Sequence, residues 1–274
     1  MAVLQSNQKK ITEGGLRIKE NLKDSKKTKP LISVITVVFN GDKDIEDTIG
    51  SVLRQSYDNL EYIIIDGGST DRTVDIIKKY QGEIDYWISE SDNGIYDAMN
   101  KGISLVTGDW VHFLNSSDTL KADVYSSILD YLVSNYSKCD VVAFGYSVIN
   151  NRGRSSTVEF KPNLDKKWKM PSSHNAMLYK SSLIKNNKFD LTYLCAADFD
   201  QFSQLSTYSK VCKNDVILLN LRDDGFIANN KYKSFLEYCQ ICLKNRNKTY
   251  AFYWFLRTVL QYGVLDIWKK LNEK

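Results

Sequence analysis

LISVITVVF, Leu31–Phe39, sets the architecture: an apolar, largely β-branched run interrupted only by Ser33 and Thr36, entered through Pro30 and closed by Asn40-Gly41-Asp42. An unbroken run of this kind, with no polar alternation, marks a strand buried on both faces. Immediately downstream Ile45, Ile49, Val52 and Leu53 recur at i, i+4, i+7 and i+8, the stripe of an amphipathic helix. EYIIID, Glu61–Asp66, repeats the buried-strand pattern, and GGSTD breaks it ahead of a helix carrying Val74, Ile76 and Ile77. YWIS (Tyr86–Ser89), a helix marked by Ile95, Met99 and Ile103, and the strand WVHFL (Trp110–Leu114) continue the alternation. Short links between alternating strands and helices imply right-handed crossovers and a parallel sheet. Ligands of such sheets bind beyond the carboxyl ends of the strands, and there the polar clusters fall: Asn40, Asp66-Gly67-Gly68, Ser91-Asp92-Asn93-Gly94 and Asn115-Ser116-Ser117-Asp118.

On either side of this block the signals weaken. Residues 1–29 are polar and Lys-rich, and predict a flexible or loosely docked lead-in, with the folded domain starting at Pro30. Beyond residue 120 a helix with Val124, Ile128 and Leu132 leads to the strand DVVAFGYSV, after which the pattern is mixed. Residues 231–246 and 249–270 predict helices. The second is rich in aromatics, but Arg257, Gln261, Gly263 and Asp266 interrupt it. A spanning helix needs roughly 20 predominantly apolar residues, so this segment fits an interfacial helix or one packed on the domain.

With 274 residues, 43% hydrophobic, 26% charged and 3 Pro, the chain has the composition of a soluble globular protein. The basic excess sits at its ends: eight Lys/Arg against three acidic residues over 1–30, and nine against three over 229–274, around an acidic middle. A nucleic-acid binder more often carries its charge as a stripe on the folded domain, so no nucleic-acid partner is expected. Basic tails beside an interfacial helix favour peripheral contact with an anionic lipid surface over plain solvated ends. The cysteines (Cys139, Cys195, Cys212, Cys239, Cys242) are odd in number and scattered, and no apolar leader precedes them, which favours a reducing, cytoplasmic compartment. Cys239 and Cys242 form a lone C-x-x-C without the second pair of a zinc site.

SVITVVFN, IIIDGGSTDRT, SDNGIYDAMNKGI, GDWVHFLNSSD, SHNAMLY and AADFD occur in that order over most of residues 31–228. Together they resemble the motifs of family-2 glycosyltransferases of the GT-A fold, in particular bacterial enzymes of capsule, O-antigen and colanic-acid-type synthesis. The resemblance implies a Rossmann-like, mainly parallel nucleotide-binding sheet flanked by helices. It divides the chain into a lead-in (1–29), a glycosyltransferase domain (30–228, with 30–120 holding the nucleotide and 121–228 the acceptor) and a basic, aromatic helical extension (229–274). It also implies a nucleoside-diphosphate-sugar donor, a UDP-sugar above all, a glycan or lipid-linked acceptor, and a site on the inner face of the cytoplasmic membrane.

Residue by residue, Asp66 follows a strand with Gly67 and Gly68 behind it, where a carboxylate can accept the N–H of uracil while a flat base approaches the backbone. The resemblance adds Thr36, Val38 and Asn40 to the base and ribose pocket. Ser69 or Thr70 is expected to cap the following helix. Asp92, Met99, Asn100 and Lys101 are expected to enclose ribose and donor sugar, with the Lys101 ammonium meeting the diphosphate. Asn115-Ser116-Ser117-Asp118 stands where the family shows an Asp-x-Asp holding a divalent cation. Here both positions of the pair are non-carboxylate and Asp118 alone remains as a ligand for Mg²⁺ or Mn²⁺.

Inversion at the anomeric carbon needs a base facing the acceptor hydroxyl, and AADFDQFSQL matches the family's acidic motif, with Asp198 as base and Asp200 second. Phe199, Phe202 and Leu205 predict a helix starting there. His174 in SSHNAMLY is expected near the acceptor, whereas His112 within its strand is expected to be structural. The rival reading on the same fold is a non-catalytic sugar-nucleotide-binding protein. A nucleotidyltransferase or dehydrogenase would need a Gly-rich phosphate loop opening the first helix, which Asn40-Gly41-Asp42-Lys43 does not provide.

Overall fold

The computed structural model describes residues 11–19, 22–150, 155–158, 170–223 and 230–245, with 249, 252, 255 and 256 beyond them. LISVITVVF forms β2 (Ile32–Val38), every residue of it buried. It lies between β3 (Leu60–Asp66) and β5 (Trp110–Phe113), parallel to both, and β4 (Tyr86–Ser89) extends the parallel set beyond β3. The chain winds away from β2 through α1 (Ile45–Leu53), β3, α2 (Thr73–Lys79) and β4. It then returns through α3 (Ile95–Leu105) to place β5 on the other side of β2. The direction of winding therefore reverses between β2 and β5, which opens a crevice at their carboxyl ends.

The second half adds β6 (Thr119–Leu120), α4 (Val124–Asn135), β7 (Val141–Ile149), β8 (Ser155–Val158), β9 (Met177–Lys180), α5 (Ser181–Lys185), α6 (Ala197–Leu205), β10 (Val211–Arg222) and α7 (Lys231–Lys244). β9 runs antiparallel between β5 and β7, so the sheet is parallel in its first half and mixed in its second. Two cores flank the sheet. Ile32, Val34 and Val38 of β2 face α1, α2 and α4, while Ile35 and Val37 face α3, α5 and α6. α3 lies tight on the sheet because Gly102 carries no side chain: a Cβ there would stand 2.6 Å from Ile35 Cγ2.

The folded body reaches back past Pro30. β1 (Thr12–Gly14) pairs antiparallel with β4 as an edge strand, and a 3₁₀ turn comes next over Leu16–Lys19. The reason is charge. Glu61 on β3 is buried and takes hydrogen bonds from Ser33, Thr107 and Arg17, whose guanidinium lies 3.2 Å away. Asp85, buried ahead of β4, is met by Lys23 at 2.8 Å. Burial still pushes the Asp85 carboxyl above its ordinary value, against the pull of Lys23. A buried carboxylate needs a partner, and the Lys-rich lead-in supplies two cations whose pairing its composition does not announce.

Cys139 and Cys212 form a disulfide with 5.7 Å between their Cα atoms. This departs from the expectation of scattered thiols in a reducing compartment: pairing of β7 with β10 brings together cysteines 73 residues apart. Neither Cys239 nor Cys242 is joined in a disulfide, and burial pushes the Cys242 thiol up to about 11, the opposite of what a reactive cysteine needs. The predicted helix over 231–246 is α7. That over 249–270 falls mostly outside the described residues; Phe252, Phe255 and Leu256 are helical and exposed. Among the described residues no helix is long and apolar enough to cross a membrane.

Arg17→Ala should destabilise the chain by roughly 2–3 kcal/mol, because Glu61 keeps its burial and loses its cation. Urea unfolding checks this, and an unchanged midpoint would show that the lead-in is energetically idle.

Candidate functional site

The four loops at the carboxyl ends of β2 to β5 are tied to one another. Asn40, in the left-handed backbone region at φ 51°, donates its N–H to Ser69 Oγ (2.7 Å), and its Oδ1 accepts the N–H of Thr70 (2.9 Å). Asn tolerates that conformation better than most residues. Gly41 approaches the β5 loop closely enough that a Cβ on it would stand 3.5 Å from Ser116 Oγ. Asp66 Oδ2 accepts from Ser89 Oγ at 2.6 Å, and the Glu90 N–H bonds the Asp66 carbonyl, joining the β3 and β4 loops. The convergence expected from the sequence is therefore built by direct bonds.

Within this frame several expected residues turn inward. The Asp66 carboxylate is wholly buried and accepts the backbone N–H groups of Gly68 (3.1 Å) and Ser69 (2.9 Å) as well as two hydroxyls. It builds the turn, since short Asp side chains readily close on the backbone two and three residues ahead. Thr36, Val38 and Met99 are buried in the cores flanking the sheet, because period-2 and period-3.6 spacing turn them there; Thr36 bonds Tyr62 at 3.2 Å. Ser69 and Thr70 cap nothing: the start of α2 is served by Asp71, which accepts the Thr73 N–H at 3.0 Å. Asn100 uses both ends of its amide on the backbone of Phe189, pinning α3 to the segment before α6.

Asp92 and Lys101, both expected from the sequence, keep exposed surface beside these loops, and so does Phe39. A Cβ on Gly67 would lie 2.6 Å from Asp92 Oδ2, so the missing side chain at 67 makes room for this carboxylate. Asp92 is half-buried. Desolvation pushes its carboxyl up, opposed by the Gly94 N–H at 2.8 Å and by Lys101. Lys101 itself pairs with Glu90 at 2.8 Å and reaches the Ser91 carbonyl. Phe39 ends the β2 run 64% exposed, beside Asn40. It was passed over in the sequence; the signal was its place as the last residue of an otherwise buried apolar run.

Asp118 is also buried. Its Oδ1 accepts the Arg222 N–H (3.1 Å) and its Oδ2 the Asn175 amide (2.5 Å), while its carbonyl takes the Thr48 hydroxyl (2.8 Å). It thus locks the β5 loop to β10, α1 and the 3₁₀ turn at 174–176, and it leads into strand β6 rather than capping a helix. The Asn115 amide oxygen is buried without a hydrogen-bond partner among the described residues. Ser117 lies half-buried in the same turn. No group of three or more His, Cys, Asp or Glu among the described residues forms a cation site. With both Asp118 oxygens already accepting and Asn115 and Ser117 uncharged, the residues present do not fit a carboxylate-held divalent cation.

Across the sheet, α6 carries Asp198 in its first turn, where Tyr96 at the start of α3 donates to Asp198 Oδ1 at 3.0 Å. Burial pushes the Asp198 carboxyl up, with the Tyr96 hydroxyl pulling the other way. Asp200 is turned elsewhere: it accepts from Gln204 at 2.7 Å and pairs with Lys244 of α7 at 3.5 Å. Two residues on a helix differ by about 200°, so Asp198 and Asp200 cannot serve the same side. His174 is buried. It stacks among Phe113, Tyr179 and Phe189, and burial pushes its pKa down to about 3, so it stays neutral. His112 is structural as expected. Its Nε2 donates to the Asn175 carbonyl, which leaves Nδ1 to accept from the Tyr125 hydroxyl, each at 2.6 Å. Tyr96, the direct partner of Asp198 on α3, carried no sequence signal beyond its place in SDNGIYDAMN.

Residues 33–195 match the sequence profile of Glycosyl transferase family 2. An uncharacterized glycosyltransferase of Mycobacterium tuberculosis is 34% identical over 173 residues, covering 62% of this chain and 66% of that protein. A PGL/p-HBAD biosynthesis glycosyltransferase of Mycobacterium bovis is 30% identical over 177 residues, covering 62% and 68%. The putative teichuronic acid biosynthesis glycosyltransferase TuaG of Bacillus subtilis is 39% identical over 129 residues, covering 46% and 50%. The chain thus spans just under two thirds of the first of these relatives and half of TuaG. Among solved structures, S. aureus TarS in complex with UDP-GlcNAc superposes with a TM-score of 0.64 at 17% identity, covering 89% of this chain and 76% of that one. The mannosyltransferase PcManGT from Pyrobaculum calidifontis, in complex with GDP-Man and Mn²⁺, gives 0.62 at 17% identity, with 84% and 68% covered. At that identity the likeness is one of fold, and together with the profile match it establishes that this chain belongs to Glycosyl transferase family 2 and adopts its GT-A fold.

Proposed function

We propose that the chain is an inverting glycosyltransferase that moves a sugar from a UDP-sugar to a hydroxyl of a glycan or lipid-linked saccharide in bacterial surface polysaccharide synthesis. The observation that carries this reading is the Asp198 carboxylate, held by Tyr96 at the start of the helix that leaves the β4 loop, the loop that also bears Asp92. Family relatives named for teichuronic acid and PGL/p-HBAD biosynthesis support the polysaccharide or glycolipid setting.

In this reading the donor lies with its base against the exposed Phe39 ring, a flat apolar surface suited to a planar ring. Its imide N–H is taken by Asp92, the carboxylate beside Gly67, while Asp66 behind it keeps the turn rigid. Lys101 lends positive charge near the diphosphate. Asp198 accepts the proton of the acceptor hydroxyl as its oxygen attacks the anomeric carbon. The bond from that carbon to the diphosphate oxygen breaks, and its electron pair leaves on the nucleoside diphosphate. A base above its ordinary carboxylate pKa accepts a proton more readily, provided the pH keeps it ionised, and a positioned base contributes typically ~10²–10⁴-fold.

Asp198→Asn should abolish sugar transfer, followed as UDP release from a panel of UDP-sugars, with UDP affinity within about twofold of wild type. Its stability should hold or rise, because a raised folded-state pKa means that the ionised carboxylate is a burden above that pKa, and Asn removes it. In the wild type kcat should fall as the pH drops through the raised Asp198 pKa, above the range of an ordinary Asp. Retained turnover in the Asn variant would move the base elsewhere. Asp92→Asn should weaken UDP binding by about tenfold or more, the scale of one hydrogen bond to a charged group, read by calorimetry; unchanged affinity would return the base contact to another residue.

The non-catalytic alternative is favoured by one feature, the uncharged Asn115 and Ser117. The two readings part on turnover: UDP binding without UDP release from any sugar, with or without Mg²⁺ or Mn²⁺, would establish the binding protein. For the enzyme, turnover should persist in excess EDTA. A fall to background would show that a cation is held after Asp118 lets go of its present partners.

A further inference from the structure

α6 begins without a cap of its own. The residue before it is Ala196, which has no side-chain acceptor, and no side chain of the segment itself caps the helix. The free N–H groups at a helix start need partners when they are buried. Here α7 meets the residue before the helix and the two ahead of it. Glu237, itself buried, accepts the backbone N–H groups of three consecutive residues: Leu194 (2.9 Å), Cys195 (2.7 Å) and Ala196 (2.9 Å). Around it α6 and α7 share a small apolar core of Ala196, Phe199, Ile241 and Cys242, and Tyr238 meets Phe199 edge-on with 4.7 Å between centroids. At the far end Lys244 pairs with Asp190 and Asp200, and the Asn245 amide reaches Ser203. The helical extension is therefore fastened along the length of the helix that carries Asp198.

We propose that Glu237 is a positioning residue for sugar transfer: by accepting the three N–H groups ahead of α6 it fixes the helix entry from which Asp198 meets Tyr96. This rests on the reading of Asp198 as the base. The geometry favours it over a purely structural role because the bonded residues stand two to four positions before Asp198, where a shift of the chain moves the carboxylate directly. The titratable groups around Asp198 are Tyr96 on α3, Tyr179 on β9, Cys195 ahead of α6, and Glu237 and Tyr238 on α7, with Lys233 of α7 beside Cys195. Of these the Glu237 charge acts to raise the Asp198 pKa. Glu237 thus both places the carboxylate and keeps it more basic.

The test compares Glu237→Gln, Glu237→Asp and Asp198→Asn in the full chain, with UDP binding, UDP release from the donor panel and its pH dependence as readouts. Glu237→Gln should bind UDP as wild type does and lose kcat on the order of 10²-fold, the scale of a misplacement of about 1 Å. Its acidic limb should move to lower pH, because the neighbouring charge is gone. Glu237→Asp, which keeps the charge on a shorter arm, should lose kcat with the limb in its wild-type place. Should Glu237→Gln fail to fold, the Asp variant alone decides, and a wild-type kcat there overturns the proposal. An inert Asp198→Asn beside a Glu237→Gln of wild-type kcat and unshifted limb also overturns it while leaving the base in place. Full activity in Asp198→Asn removes the base itself.

Discussion

A strand buried on both faces can satisfy its backbone only through neighbours on both edges, and β2 is such a strand. It must be flanked, and the chain flanks it with β3 on one side and β5 on the other, all three parallel. The crevice is a consequence of that arrangement. Parallel neighbours bring their carboxyl ends to one edge of the sheet, and the reversal of winding between β2 and β5 leaves the two adjoining loops divergent enough to open a gap. Asn40, Gly41 and Ser116 line that gap because they terminate those strands.

Carboxylates buried away from water do most of the fastening. Glu61 and Asp85 draw in Arg17 and Lys23 from the lead-in. Asp66 closes the β3 turn on its own backbone and on Ser89. Asp118 ties the β5 loop to β10 and to Asn175. Each is costly if unmet, and each is met by donors distant in sequence or by backbone N–H groups, so the fold is specified as much by these obligations as by its apolar faces. One consequence is a division of labour among acidic residues with similar sequence settings: Glu61, Asp66, Asp85 and Asp118 are buried and hold structure, whereas Asp92 and Asp198 are left partly exposed.

The disulfide and the antiparallel insertion of β9 belong to the second half of the sheet, where pairing between non-consecutive strands dominates. This half supplies α6, and through it the carboxylate that faces Tyr96. Near the site the two halves meet through the Tyr96 to Asp198 bond and the Asn100 clasp on Phe189. That places weight on whatever steadies α6 from behind, which is the work of α7.

Local pattern was enough for the parallel half of the fold. Unbroken apolar runs and the 3.6-residue stripe, with turn residues between them, placed β2 to β5 within a residue of their ends and put helices where α1 to α3 lie, because each of those elements buries faces that its own sequence defines. The ordered motifs also sufficed to name the family. Which acidic residues are buried and which stay partly exposed was decided by packing. Whether Asp66 or Asp92, Asp198 or Asp200 is available depends on donors brought from elsewhere in the chain, and spacing carries no record of those. For the same reason the lead-in read as loose, the Cys139–Cys212 pair read as separate thiols, and the aromatic cage around His174 went unread: each owes its state to a neighbour that arrives only when the chain has folded.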